Sequence, residues 1–167
     1  MFDFLKRDQK TEFGYIVSPQ AGIATSVQEI PDEVFSEKIL GDGAAIIPSE
    51  NNILSPVDGE IVQVADTGHA FCIRSKDGVD ILIHVGVDTV GLKGRGFETF
   101  VSKGQKVRVG KLIGRADIEL IEQSGFSTYT AVLITNMKDV ENLHLFKGPV
   151  TAGKTKILSY CRMQDSK

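Results

Sequence analysis

Residues 79–88 read VDILIHVGVD, and apolar and polar positions alternate along them. Val79, Ile81, Ile83, Val85 and Val87 fall on one side of an extended chain, and Asp80, Leu82, His84, Gly86 and Asp88 on the other. The pattern predicts a half-buried strand with its apolar row inward and His84 on the wetter face. Shorter runs rich in Val and Ile recur at residues 59–64, 71–75 and 130–135. Turn-like pairs separate such runs: Asp42-Gly43, Asp58-Gly59 and Asp77-Gly78. Short strands between regular turn signals predict an all-β protein, an antiparallel sandwich or barrel. Helical signals are few. Residues 31–40, PDEVFSEKIL, have an acidic first turn and Gly41 just past their end, and residues 118–123 offer another turn or two. SPVDGEIVQV and SKGQKVRVGKLIG echo each other as turn-and-strand units, the look of a sandwich with internal two-fold symmetry.

Composition narrows the class. A chain of 167 residues suits one domain with a full core. The expected organisation is a flexible amino-terminal tail over residues 1–17 and a single domain over 18–167. A net charge of −3 gives no basic field to hold nucleic acid. No apolar run approaches the length of a membrane span. The start, MFDFLKRDQK, lacks the apolar centre and cleavage site of a secretory signal. Cys72 and Cys161 have no metal-type spacing and read as free thiols in a reducing compartment.

The candidate chemistry lies in the histidines, of which there are three. His69 and His84 flank a turn at Lys76-Asp77-Gly78. If Asp77-Gly78 form the turn centre, His84 faces Phe71 and has His69 as its diagonal neighbour. A turn centred on Lys76-Asp77 sets the two histidines directly opposite. A three-residue loop puts them on opposite faces. The even-length turns are the expectation, and they give a shared face. Phe71, Ile73 and Leu82 would then form an apolar collar around the rings, and with Gly86, Asp88 and Val90 a partner-binding surface.

Two imidazoles can serve three chemistries. They can hold zinc, with His144 as a candidate third ligand, but no carboxylate or thiol stands at ligand spacing. They can act as acid and base, but no motif sets up a Ser or Cys nucleophile. One ring can itself take a phosphoryl group while the other donates a hydrogen bond to the phosphoryl oxygens. On this third use a phosphorylated protein or a small phosphate ester is the expected donor.

The segment from about Ser18 to Met137 resembles the glucose-family enzyme IIA domain of the bacterial phosphoenolpyruvate-dependent sugar phosphotransferase system. PDEVFSEKILGDG, SPVDGEIVQV, TGHAF, ILIHVGVDTVGLKGRGF and KGQKVRVG carry the resemblance, in order. It implies an antiparallel barrel-sandwich hybrid with short helical turns. It implies that His84 accepts a phosphoryl group from the histidine phosphocarrier protein and passes it to a cysteine on the enzyme IIB domain of a sugar permease. His69 would assist, and Thr67 would hydrogen-bond His69. No cofactor is required. A zinc ion shared by His69, His84 and a partner's carboxylate is a lesser expectation. Gly91 and Arg95 stand where acidic residues are common in such domains, which bears on partner preference.

The copy reads as a stand-alone domain, expected in the cytoplasm, able to serve several permeases or regulatory targets. Residues 1–10, with Phe2 and Leu5 beside Lys6, Arg7 and Lys10, suit weak contact with the inner face of an anionic membrane. Three other readings compete. A lysostaphin-type zinc peptidase needs a His-x-His pair, which the chain lacks. A biotinyl or lipoyl carrier would use a lysine such as Lys138 in Met137-Lys138. A regulatory binding protein would use phosphorylation of His84 as its switch.

Overall fold

The computed structural model describes residues 12–163. Fourteen strands dominate it, all paired antiparallel. They are β1 (Glu12–Val17), β2 (Gly22–Ser26), β3 (Asp42–Pro48), β4 (Asn52–Leu54), β5 (Gly59–Val64), β6 (Ala70–Ser75) and β7 (Asp80–Val85). Then follow β8 (Phe97–Thr99), β9 (Lys106–Val107), β10 (Leu112–Ala116), β11 (Thr130–Ile134), β12 (Val140–Leu145), β13 (Gly148–Val150) and β14 (Lys156–Arg162). An eight-stranded sheet has the order β13-β2-β3-β11-β7-β6-β5-β9, and two three-stranded sheets run β1-β14-β12 and β4-β10-β8. No helix among the described residues is long and apolar enough to cross a membrane.

Alternation along β7 holds as the sequence predicts. Ile81, Ile83 and Val85 are buried, while Asp80, Leu82 and His84 are half-buried. The inward row joins Phe71, Ile73, Ile113, Val132 and Tyr160 in the main core. A smaller core covers the other face of β3, β11 and β7, where Val27, Ile30 and Phe35 pack on Ala45, Ala131 and Leu133, with Leu82 at its margin. That second core brings residues 27–35 over the strand that carries His84.

Three expectations move. Glu12–Val17 is not tail but β1, paired with β14 from Glu12↔Arg162 onward, so only residues 1–11 precede the first strand and lie outside the described residues. The membrane-contact reading of residues 1–10 lies there too. Asp42-Gly43 is no turn: both residues are in β3, opposite Ile134 and Leu133. A side chain at Gly43 would strike the Val132 carbonyl, so the strands approach closely there. The helix expected over 31–40 shrinks to Glu33–Ser36. Asp32 caps it through the Val34 amide (2.8 Å), and Lys38, at φ 60°, ends it. Residues 118–123 do form the expected helix, capped by Asp117. The two echoing units, finally, pack on each other: Gly59 pairs with Val107, and Asp58 Oδ1 accepts the Val109 amide.

Candidate functional site

The β6–β7 hairpin closes with the odd-length loop. Ser75 takes the Val79 carbonyl at 2.9 Å, leaving Lys76, Asp77 and Gly78 as a three-residue loop with Gly78 at φ 87°. Ala70 therefore faces His84, Phe71 faces Ile83 and Ile73 faces Ile81. This shift of one residue removes Phe71 and Ile73 from the expected collar. Both are fully buried in the main core. Burial of such a side chain stabilises the fold by about 1.5–3 kcal/mol, and neither can touch a partner without unfolding. Leu82 alone of the three shares the face of His84.

The same shift should part the two histidines, yet their rings meet. The centroids are 4.9 Å apart and the planes near perpendicular at 79°. His69 precedes β6, on a turn in which the Gly68 amide donates to the Ala65 carbonyl at 2.8 Å. Gly68 at φ 73° breaks the strand alternation there. The His69 carbonyl still accepts the Val85 amide (2.8 Å), but its ring leaves the ladder and reaches His84 at the end of the sheet. Thr67 Oγ1 holds His69 Nδ1 at 2.6 Å, and Phe97 lies edge-on at 6.4 Å.

His84 is placed by its neighbours. Ala70 and Ala131 flank it on the adjoining strands, small enough to leave room for an imidazole. Phe35 lies against its ring, with centroids 5.1 Å apart. His84 Nδ1 stands 2.9 Å from the Gly86 carbonyl. A carbonyl only accepts, so Nδ1 carries the proton and Nε2 presents a lone pair. On His69 the Thr67 hydroxyl can donate to Nδ1, which leaves Nε2–H as a donor. The site therefore pairs one nucleophilic nitrogen with one hydrogen-bond donor.

Gly86 is a positioning residue rather than a contact surface, since it is buried. It sits at φ 76°, and a Cβ there would collide with Thr89 Cγ2 and lie 2.9 Å from the Ser127 carbonyl. Gly86→Ala is expected to destabilise the fold by about 2–3 kcal/mol, read from denaturant midpoints. Asp88, at φ 60°, and Val90 are exposed beside it. Phe35 and Phe97 were not legible as site residues. Phe35 sits in the segment read as a plain helix, and its position over His84 depends on a non-local core.

Both imidazoles are held below their ordinary range. Burial lowers His84 first, opposed by the Gly86 hydrogen bond and by Asp32 and Asp88. Burial also lowers His69, with His84 adding to it. Only the neutral ring offers the Nε2 lone pair, so any nucleophilic reactivity at His84 should stay level above about pH 6.5 and fall only in more acid solution. Stability follows the same sign. The unfolded chain binds these protons more readily, so stability is full above about pH 6.5 and is lost as pH falls through the lowered values. A pH series of melting temperatures should show a smaller acid loss in His84→Gln.

Among the described residues no three His, Cys, Asp or Glu side chains gather as a metal site. His144 belongs to β12 in another sheet and packs on Phe146 at 4.6 Å, so it does not join the pair. Met137-Lys138 lies in a 3-10 turn linking two different sheets, not at a hairpin tip.

A family model described as phosphoenolpyruvate-dependent sugar phosphotransferase system, EIIA 1, matches residues 14–140. A glucose-specific EIIA component of Bacillus cereus is 44% identical over 150 residues, 89% of this chain and 91% of that protein. One from Haemophilus influenzae is 38% identical over 161 residues, 95% of this chain and 97% of that protein. A glucosamine-specific EIICBA component of Bacillus subtilis is 45% identical over 141 residues, 84% of this chain but 22% of its own length. Among solved structures, the glucose permease IIA from Mycoplasma capricolum superposes with a TM-score of 0.83 at 36% identity, covering 89% of this chain and 96% of that one.

Proposed function

The chain belongs to the EIIA 1 family of the phosphoenolpyruvate-dependent sugar phosphotransferase system, and from that premise we propose that it carries a phosphoryl group on His84 Nε2. The observation that supports this reading most is the pairing of a lone-pair nitrogen on His84 with a Thr67-tethered His69 ring 4.9 Å away. The donor is the histidine phosphocarrier protein. Its phosphorus–nitrogen bond breaks as a new one forms at His84 Nε2. The Nδ1 proton stays, held by the Gly86 carbonyl, which balances the positive charge on the phosphorylated ring. His69 Nε2–H donates to the phosphoryl oxygens, most strongly while charge shifts among them. The group then passes to a cysteine thiolate of an enzyme IIB domain, in the cytoplasm. Phe35, packed against the ring, excludes water from the hydrolysable bond.

The docking surface differs from the collar expected in the sequence. Val34, Ile39, Leu40 and Val90 are exposed, the first three in the chain segment around Phe35 and the last just past the Gly86 turn. These apolar side chains, with Leu82 beneath, are the contacts we assign to both partners. Each partner must bring its nucleophile to the same nitrogen, so the two use overlapping patches. Ile39→Asp and Val90→Asp should each weaken both partners about tenfold or more and leave the fold intact, because both residues are more than half exposed. NMR titration with each partner in turn checks this. Two separate footprints would sink it.

The reading as a whole is tested by incubating the chain with phosphoenolpyruvate and the two general phosphotransfer proteins, then measuring intact mass. One acid-labile phosphoryl group is expected. An unchanged mass would refute it.

A further inference from the structure

Independently of the phosphocarrier reading, we propose that the outer edge of β9 is a second docking surface, which takes an extended acidic segment of a partner protein by strand pairing. Residues 103–111, KGQKVRVGK, hold Lys103, Lys106, Arg108 and Lys111 and no carboxylate, in a chain whose net charge is −3. All four cations are exposed. Among the described residues none of them has a carboxylate within salt-bridge distance. Arg74 and Lys76 nearby are answered by Asp80 at 2.8 Å and Asp58 at 4.0 Å.

β9 ends the eight-stranded sheet. It pairs with β5 on one side, where Glu60 faces Lys106, and among the described residues no strand lies on its other side. Exposure alternates from Lys106 through buried Val107 to Arg108, so the two cations share the outer face, roughly 7 Å apart along the chain. A strand laid alongside repeats that spacing. Carboxylates at its alternate positions then meet both cations while its main chain pairs with the open edge. A cleft of about 610 Å³, lined by Arg74, Lys76, Lys106 and Arg108, gives its side chains room. The sheet's opposite edge, β13, contains Pro149, which has no amide to donate to an added strand.

This edge stands clear of the imidazoles. His84 faces Ala70 in one row of the sheet, and Asp80, Arg74, Glu60 and Lys106 form another row four residues along. β9 is three strands across from β7. Lys106 therefore lies roughly 13 Å along the sheet and roughly 14 Å across it from His84. A partner held at β9 leaves His84 open to another.

The probe is an eight-residue peptide alternating glutamate with threonine, titrated into the full chain in low salt and followed by NMR. Saturating shifts are expected at Lys106, Val107 and Arg108 and at Arg74 and Lys76, with His69 and His84 unmoved. Lys106→Gln with Arg108→Gln should weaken binding about tenfold or more at an unchanged melting temperature, since both side chains are exposed. A peptide alternating glutamate with proline has the same charge but half the amides. It should bind the unaltered chain about tenfold more weakly, a comparison that needs no variant. Equal binding of the two peptides, unchanged affinity in the variant, or shifts centred on His84 overturns the proposal. Binding to phosphatidylglycerol vesicles without binding to peptide overturns it too, and makes the patch a membrane contact. Self-association of the variant without peptide binding to the unaltered chain also overturns it, and leaves the cations as a guard against edge pairing.

Discussion

A His84→Gln variant is expected to accept no phosphoryl group at all, under conditions that load the wild type to one group per chain. Glutamine keeps a polar side chain near the Gly86 carbonyl but offers no nitrogen lone pair. The site contains no second nucleophile to take over. His69 is bound through Nδ1 to Thr67, and in the assigned tautomer its other nitrogen carries a proton. The loss should therefore be complete rather than partial, with a melting temperature near that of the wild type. Intact-mass measurement after incubation with the phosphoryl donor settles it. Phosphate retained in acid-labile form by the variant would move the acceptor elsewhere.

A His69→Gln variant should divide the two half-reactions. The nucleophile and its proton clamp remain, so acceptance continues. Onward transfer to the enzyme IIB domain should fall about 100-fold or more, the range seen when one fixed donor to a developing negative charge is removed. On the proposed reading the two steps differ in what leaves: only in the second is His84 the leaving group, and there His69 Nε2–H would hold the phosphoryl oxygens as the His84 bond to phosphorus breaks. Quench-flow measurement of each half-reaction gives the ratio. Equal loss in both would assign His69 a structural part, holding the β6 turn in place.

Much of this was written in local pattern. The alternation in VDILIHVGVD placed His84 away from the core before any contact was seen, because side chains on a strand alternate whatever the rest of the fold does. The short runs, the turn at Lys76-Asp77-Gly78 and the motifs from PDEVFSEKILGDG to KGQKVRVG specified an all-β enzyme IIA domain. Thr67 and His69, two residues apart, could be paired on paper and are paired at 2.6 Å.

Tertiary structure alone decided the rest. Loop length at Gly78 is a matter of one residue, and one residue exchanges the faces of a strand, so Phe71 and Ile73 went to the core instead of the surface. The histidines came together although that register forbids a shared face, because Gly68 frees His69 from the ladder just before β6 begins. Phe35 reached His84 through a second small core built from residues far apart in the chain, and β1 was claimed from the tail by pairing with β14 at the opposite end of the chain. Each of these outcomes depends on long-range packing or on a single backbone angle, and neither leaves a period in the sequence to be read.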